Sequence, residues 1–342
     1  MLDIFDNDAF SVVTMTHAIN EMAFVPGRIG EMGLFDAEGV DTTTIAVEKK
    51  GDILVLVAPS PRGGPGQTIE KDKREMRDLR IPHFEINDAV YADEVQNVRA
   101  FGTADRQLET VVGKVASRQR IHVNSMAATE EHARLGAVKG IVVYADGSSL
   151  DLFREFDVEQ APIYDLTLPA SNTNPDNGIL RKNASKLIRS MTDDLGGLGF
   201  TGIHAFVGDN AFDAILTSKE LRQTYIGWNE AQILRDSYVG PNRSSYGVFQ
   251  FGGIVWENYR GAVGTTAFIE PDEIRAFPVG VPGLFQTRWA PADYEETVNT
   301  IGERLYAKQY PMQNGKGRNL DTQMNALQYC VRPKVLRRLK AN

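Results

Sequence analysis

One stretch limits what this chain can fold into more than any other: VLVAPSPRGGPGQTIEKDKREMRDLRIPHFEIND, residues 55–88. It opens as an apolar strand and breaks at Pro59, Pro61, Gly63, Gly64, Pro65 and Gly66. It then runs from Glu70 to Arg80 with few apolar side chains and returns as a second apolar stretch, Ile81 to Ile86. Ordering backbone costs about 1–2 kcal/mol per residue. Fixing even ten such residues therefore needs roughly 400–800 Å² of apolar burial at about 25 cal/mol per Å². Between 60 and 80 only Ile69, Met76 and Leu79 are large and apolar, which is too little. The distal part is either mobile or held by a neighbouring molecule. The run EKDKREMRDLR alternates in sign instead of clustering one charge. That pattern fits a solvated loop, or a strip that meets a complementary strip on another copy; a sheet edge with alternating charge suits the second. The candidates for such contacts are Arg62, Glu70, Lys71, Asp72, Arg74, Glu75, Arg77, Asp78 and Arg80. Exposed pairs contribute only about 0–1 kcal/mol each, so they would set register more than strength.

The 342 residues suffice for two domains, or for one core with long excursions. A net charge of −8 argues against non-specific nucleic-acid binding over the whole surface. The single cysteine, Cys330, forms no internal disulfide, and cysteine-cluster metal sites are excluded. An intracellular, reducing site of folding is the simplest reading. Met1 to Phe10 carries Asp3, Asp6 and Asp8 and no basic residue, unlike a secretory signal. No apolar run is long enough to span a membrane.

Along the chain, FSVVTMTHAINEM predicts a short helix before breaks at Pro26, Gly27, Gly30 and Gly33. Residues 42–57 read as two strands turning at Lys49 to Asp52, which with 81–86 make a ribbon of two or three strands. The longest helical pattern lies within 88–137. Leu108, Val112, Val115, His122, Met126 and Ala133 share one face, and Gly136 and Gly140 are stop signals. GIVVYADGSSLDLFREFDV reads as a hairpin turning at Asp146-Gly147. A Pro- and Asn-rich connector over 160–180 leads to a compact α/β unit over 181–280, in which Asp209 is a predicted N-cap. QYCVRPKVLRRL reads as a final strand.

Catalytic signatures are sparse. GLGFTG (197–202) matches G-x-G-x-x-G, but a helix precedes it and a strand follows, the reverse of a dinucleotide loop. It reads as a glycine-rich helix stop. His17, His83, His122, His132 and His204 show no metal-site spacing, and His204 falls in an apolar strand as a buried, hydrogen-bonded residue. Cys330 reads as a small buried hydrophobe. The adjacent carboxylates Glu130-Glu131, Asp193-Asp194 and Glu295-Glu296 read as solvated helix faces. The basic residues Arg332, Lys334, Arg337, Arg338 and Lys340 read as a solubilising end or a nucleic-acid contact. The sequence nominates no catalytic, cofactor-binding or metal-binding residue and no cofactor.

Four segments, VEKKGDILVLVAPSPRGGPGQ, RIPHFEINDAVYADEVQNVR, GAVKGIVVYADGS and WAPADYEETVNTIGERLYAKQYP, resemble the lambda-type capsid protein E family of tailed-bacteriophage major capsid proteins. The resemblance runs from about residue 10 to the C-terminus. It implies an α+β chain of the Hong Kong 97-like capsid fold: an N-terminal arm (1–41), an extended β loop (42–86), and a peripheral domain (87–180) with a long spine helix near 104–137 and a hairpin over 141–157. An axial domain (181–280) and a return to the peripheral domain (281–342) follow. The implied function is a non-enzymatic major capsid protein that self-assembles as a homo-oligomer, in hexamers and pentamers, into an icosahedral head around double-stranded DNA. The implied setting is assembly in the host bacterial cytoplasm and residence in the virion capsid, with no membrane. Its partners would be a separate scaffolding protein, since the arm begins almost at once, a portal, and as a further candidate a decoration protein. Two alternatives stand beside this one: a cellular shell of encapsulin type, and a nucleotide-binding α/β enzyme suggested by GLGFTG and residues 181–280.

Overall fold

The computed structural model of the protein describes residues 12–21, 27–49, 75–95, 111–166, 178–226, 247–263 and 266–341. In chain order the elements are α1 (Val12–Glu21), α2 (Arg28–Glu31), β1 (Phe35–Gly39), β2 (Thr44–Lys49), β3 (Glu75–Arg80), β4 (His83–Tyr91), α3 (Val111–Lys139), β5 (Ile141–Val143), β6 (Ser149–Asp151), α4 (Leu152–Glu155) and β7 (Tyr164–Asp165). There follow α5 (Ile179–Leu195), β8 (Gly202–Val207), α6 (Asp209–Thr217), α7 (Lys219–Ile226), β9 (Val248–Phe251), β10 (Ile254–Asn258), β11 (Ala262–Val263), β12 (Thr266–Ala267), β13 (Ile274–Val279), β14 (Phe285–Trp289), β15 (Tyr306–Pro311), β16 (Gly317–Cys330) and β17 (Arg337–Lys340). They divide into two compact units: residues 1–45, 78–133 and 286–328, and residues 46–77, 134–285 and 329–342.

The first unit is organised around β16, a strand of 14 residues. Its sheet runs β1-β14-β16-β15, with β4 also pairing β16. Both β15 and β4 are antiparallel to β16, so Asp321 lies between Lys308 and Asn87, and Leu320 between Gln309 and Asp88. Side chains alternate across a strand, and the two faces of this one differ. Met324 and Ala326 pack with Met15 and Ile19 of α1 and Val123 and Met126 of α3, while Leu320 packs with Val115 and Val90. The opposite face carries Asp321, Gln323 and Asn325 under the 291–306 segment, where Ala292, Tyr294 and Tyr306 cluster. Of the helix face read from the sequence, Val115, His122, Met126 and Ala133 are buried; Leu108 lies outside the described residues.

The second unit has a six-stranded sheet in the order β7-β17-β13-β8-β10-β9. The β8–β10 pair is parallel, which the intervening helices permit. One sheet face meets α5, α6 and α7 through Ile203, Ala205, Val207, Ile254 and Trp256 against Leu187, Met191, Phe212, Ile215 and Leu221. The other face stacks aromatic rings, with Phe206 5.1 Å from Phe277 and 4.8 Å from Tyr259.

Several sequence expectations are corrected. The second apolar stretch does not join the ribbon. β2 pairs β3 in a sheet of its own, while β4, beginning three residues after Arg80, pairs β16. Pro82 lies at the break between them and has no N–H for a ladder. Residues 50–57, the expected turn and second strand, lie outside the described residues. The hairpin after α3 turns at Asp146-Gly147 as expected but is short. Asp151 accepts from the Phe153 and Arg154 amides and starts α4 instead of continuing a strand. Gly136 does not stop α3; a Cβ there would lie 2.7 Å from Val142 Cα, so it permits a close approach, and the helix ends at Gly140, φ +83°. Asp209 is the first residue of α6, not its cap, and its carboxylate accepts from Asn258. The final strand is two strands, β16 and β17, divided by a 3-10 turn at Pro333–Val335.

Trp256 is fully buried and donates its indole N–H to the Phe251 carbonyl at 3.1 Å. Trp256→Ala should destabilise the second unit by about 3–5 kcal/mol in chemical denaturation followed by circular dichroism.

Candidate assembly site

The ribbon root is visible on β2 and β3. Leu79 and Ile45 are buried, while Asp78, Arg80 and Thr44 are exposed, the alternation of a strand with one covered face. The Ile81 amide donates to the Thr43 carbonyl at 3.0 Å and closes the base. Arg77 reaches the Arg154 carbonyl at 3.4 Å and the Asp157 carboxylate at 3.9 Å, with side chains 41% and 80% exposed in that ion pair. So wet and long a pair contributes little. Glu75 begins β3; Arg62, Glu70, Lys71, Asp72 and Arg74 lie outside the described residues.

Residues that sequence reasoning passed over anchor α3. Glu130 and Glu131 are not a solvated face; both are buried. Glu130 meets Arg304 with Nε and Nη2 both at 2.9 Å from Oε2. Glu131 turns to the 27–31 segment, where Oε1 accepts from the Ile29 amide at 2.7 Å and Oε2 from the Gly30 amide at 3.2 Å. Gly27 admits this carboxylate, since a Cβ there would fall 2.2 Å from Glu131 Cδ. Neighbours in a helix point about 100° apart, so one pair of carboxylates holds two separate segments. About two turns earlier, buried His122 lies 2.9 Å from Thr322 Oγ1 and 3.2 Å from Asp88 Oδ2. Arg118 adds Asp88 at 3.5 Å and Glu94 at 3.2 Å. The only sequence signal for Glu130 and Glu131 was their place beside the buried face, next to Met126 and Ala133.

In the second unit, Glu273 gathers the last residue of α3 and β13. Its carboxylate accepts from Lys139 Nζ at 2.9 Å and from Arg275 Nε at 2.7 Å. Arg275 Nη1 in turn donates to the Lys139 carbonyl at 3.3 Å, capping a helix C-terminus that favours positive charge. Burial disfavours the ionised Glu273, but the Lys139 and Arg275 charges overcome it and hold the carboxyl below its ordinary value. Burial also lowers Lys139.

The remaining motifs are structural. Leu195 ends α5, Gly196 and Gly197 follow at φ +65° and +88°, and β8 starts at Gly202, so GLGFTG is a helix stop. Arg332 donates to the Leu195 carbonyl at 3.2 Å. His204 is buried, 2.9 Å from Glu257. Cys330 is fully buried, and burial pushes its thiol up to about 12, far from a nucleophile. The basic end is no free tail: Arg337 is buried in β17 and bonds to Ser190 and Asp194, which Lys334 also meets at 3.0 Å. Among the described residues no group of three or more His, Cys, Asp and Glu side chains is arranged to hold a metal, and no helix is long and apolar enough to cross a membrane.

An isolated charged ribbon, a 29-residue helix anchored by buried polar groups, and sheets built from distant segments are the parts of the Hong Kong 97-like capsid fold. A crystal structure described as a prophage capsid protein from E. coli CFT073 is similar, with a TM-score of 0.59, 10% identity, and coverage of 97% of this chain and 99% of that one. The chain belongs to the phage major capsid protein E family, whose profile matches residues 11–341. It is 24% identical over 369 aligned residues to the major capsid protein of Salmonella phage Felix O1 (isolate Felix O1-VT1), covering 100% of this chain and 99% of the relative. It is 26% identical over 356 to that of Pseudomonas phage KPP10, covering 97% of each. The family is structural, not enzymatic, so the nucleotide-enzyme alternative is set aside, and a phage shell is favoured over the encapsulin one.

Two substitutions test these anchors. Glu131→Ala should leave the Ile29 and Gly30 amides unpartnered, destabilise by about 1–3 kcal/mol, and speed hydrogen exchange at those two amides in NMR or mass spectrometry. Glu273→Gln should destabilise by roughly 1–3 kcal/mol at neutral pH, because two partly buried cations lose their counter-charge. A depressed carboxyl contributes stability fully present above its ordinary 4.5 and lost as pH falls through the lower folded-state value. The variant's acid limb in pH-dependent denaturation should therefore be flatter than wild type.

Proposed function

We propose that this chain is the repeating subunit of a tailed-phage head, closing as hexamers and pentamers into an icosahedral shell around double-stranded DNA. In this reading it assembles in the host cytoplasm with a separate scaffolding protein and a portal, and a decoration protein is a further partner. The extended loop, with His83–Ile86 returned to the sheet of β16, covers residues 42–80 and lies over the adjacent subunit. Its strip of Arg62, Glu70, Lys71, Asp72, Arg74, Glu75, Arg77, Asp78 and Arg80 sets the register of that contact. Residues 87–180 and 281–342 form the peripheral domain and 181–280 the axial domain.

The observation that carries this reading is the ribbon. Among the described residues β2 and β3 pair with each other and with no other strand, Asp78 and Arg80 are exposed, and the five-stranded and six-stranded sheets include neither of them. Two strands alone are marginal in water, and unpaired edges invite another chain. Repeated weak contacts of this kind sum to a stable closed assembly.

Replacing residues 51–74 by a short Gly-Ser turn leaves every described residue of β2, β3 and the two cores in the chain. The variant should remain folded by circular dichroism and soluble, yet give no closed particles in negative-stain microscopy where the wild type does. Closed shells from the variant would overturn the role assigned to the loop.

A further inference from the structure

Helix α5 carries its charges in an order that works against its own stability. Negative charge is favoured near a helix N-terminus and positive charge near the C-terminus. The first turn of α5 instead holds Arg181 and Lys182 and no acid, and the last turn holds Asp193 and Asp194 and no base. Side chains from elsewhere in the second unit offset the two ends. Glu220 accepts from the Leu180 and Arg181 amides at 3.0 and 3.1 Å, and Lys334 and Arg337 meet Asp194. A helix face arranged for stability alone would carry the opposite order.

The basic side chains fall on one side. Leu180, Ala184, Leu187 and Met191 are buried against the sheet. Lys182, Lys186 and Arg189 are exposed, at spacings of four and three, and so share the opposite face. Among the described residues none of these three takes part in an ion pair. Arg181 stands apart, over the Phe251 ring at 5.6 Å. Exposed Asp193 closes the stripe one turn beyond Arg189.

From Lys182 to Arg189 the helix rises about 10 Å. Over that axial length one strand of a DNA duplex presents about three phosphates. On a chain of net charge −8, the stripe makes a local field of the sign opposite to that of the whole molecule. A polyanion with regularly spaced charges fits such a strip, and contacts to its backbone carry affinity without reading sequence.

We propose that the Lys182, Lys186 and Arg189 face of α5 contacts the phosphate backbone of duplex DNA and is therefore turned toward the interior of the shell. This rests on the head reading above and adds to it the surface that meets the packaged DNA. Arg338 and Lys340, also exposed, are the competing basic pair, on alternate positions of β17.

Fluorescence anisotropy tests the assignment, with the full-length subunit titrated into a labelled duplex of about 30 base pairs at about 25–150 mM salt. Wild type should bind without sequence preference and weaken steeply as salt rises. Lys182→Gln/Lys186→Gln/Arg189→Gln should lower affinity about tenfold or more at the lowest salt. The slope of log K against log salt should fall by about 2.7, at about 0.9 per phosphate contact. Lys316→Gln/Arg338→Gln/Lys340→Gln removes the same number of charges elsewhere and should leave the slope near wild type. Glutamine is a good helix former, so the α5 variant should melt at the wild-type temperature or slightly above. Equal losses in both triple variants, an unchanged slope or a lowered melting temperature in the α5 variant, or wild-type binding to a poly-glutamate peptide as tight as to DNA would each overturn the assignment. Negative-stain microscopy separates it from the reading beneath it. Closed wild-type particles with an unchanged slope in the α5 variant remove this inference alone, whereas wild type that closes no particles removes the head reading with it.

Discussion

Two strands paired only with each other are marginal in water, and among the described residues β2 and β3 have no third strand beside them. Its base is fixed by Leu79, Ile45 and the Ile81–Thr43 hydrogen bond, and between 60 and 80 the chain offers few large apolar side chains. The described core clusters of the two units are built from residues outside this ribbon. Under the proposed function, the ribbon's missing stabilisation is what a neighbouring subunit supplies. That makes the contact weak singly and strong in a closed shell.

The second theme is the use of buried charge to fix position. Apolar packing against α3 tolerates sliding, because one aliphatic contact resembles the next. Glu130 with Arg304, Glu131 with the Ile29 and Gly30 amides, and His122 between Asp88 and Thr322 do not. Each pairs a particular atom with a particular atom. Buried ion pairs add little net stability over an apolar replacement, yet removing one partner is costly, so they penalise misplacement more than they strengthen the correct place. Glu273 does the same for Lys139 and Arg275 in the second unit.

What the sequence revealed depended on how local the signal was. α1, the Asp146-Gly147 turn and the face of α3 through Val115, His122 and Met126 are periodic or turn patterns, and they stand in the structure nearly where they were read. The GLGFTG loop was read correctly because the order of helix and strand decides it. Pairing was not legible: nothing near Ile81–Ile86 announces that its partner is β16, more than two hundred residues away. Glu130 and Glu131 were misjudged because exposed carboxylates are the common case and the partners, Gly27 to Gly30 and Arg304, are distant in sequence. The family resemblance, carried by extended phrases and not by a short signature, conveyed the function more reliably than any single motif.

Hydrogen exchange at the backbone amides of β2 and β3, compared between free subunits and assembled particles, tests the central claim most directly. The account predicts rapid exchange across Thr44–Lys49 and Glu75–Arg80 in the free subunit and strong protection in the particle, with β8, β10 and β16 protected equally in both. Equal and strong protection of β2 and β3 in the free subunit would contradict it, because the ribbon would then be complete without a neighbour.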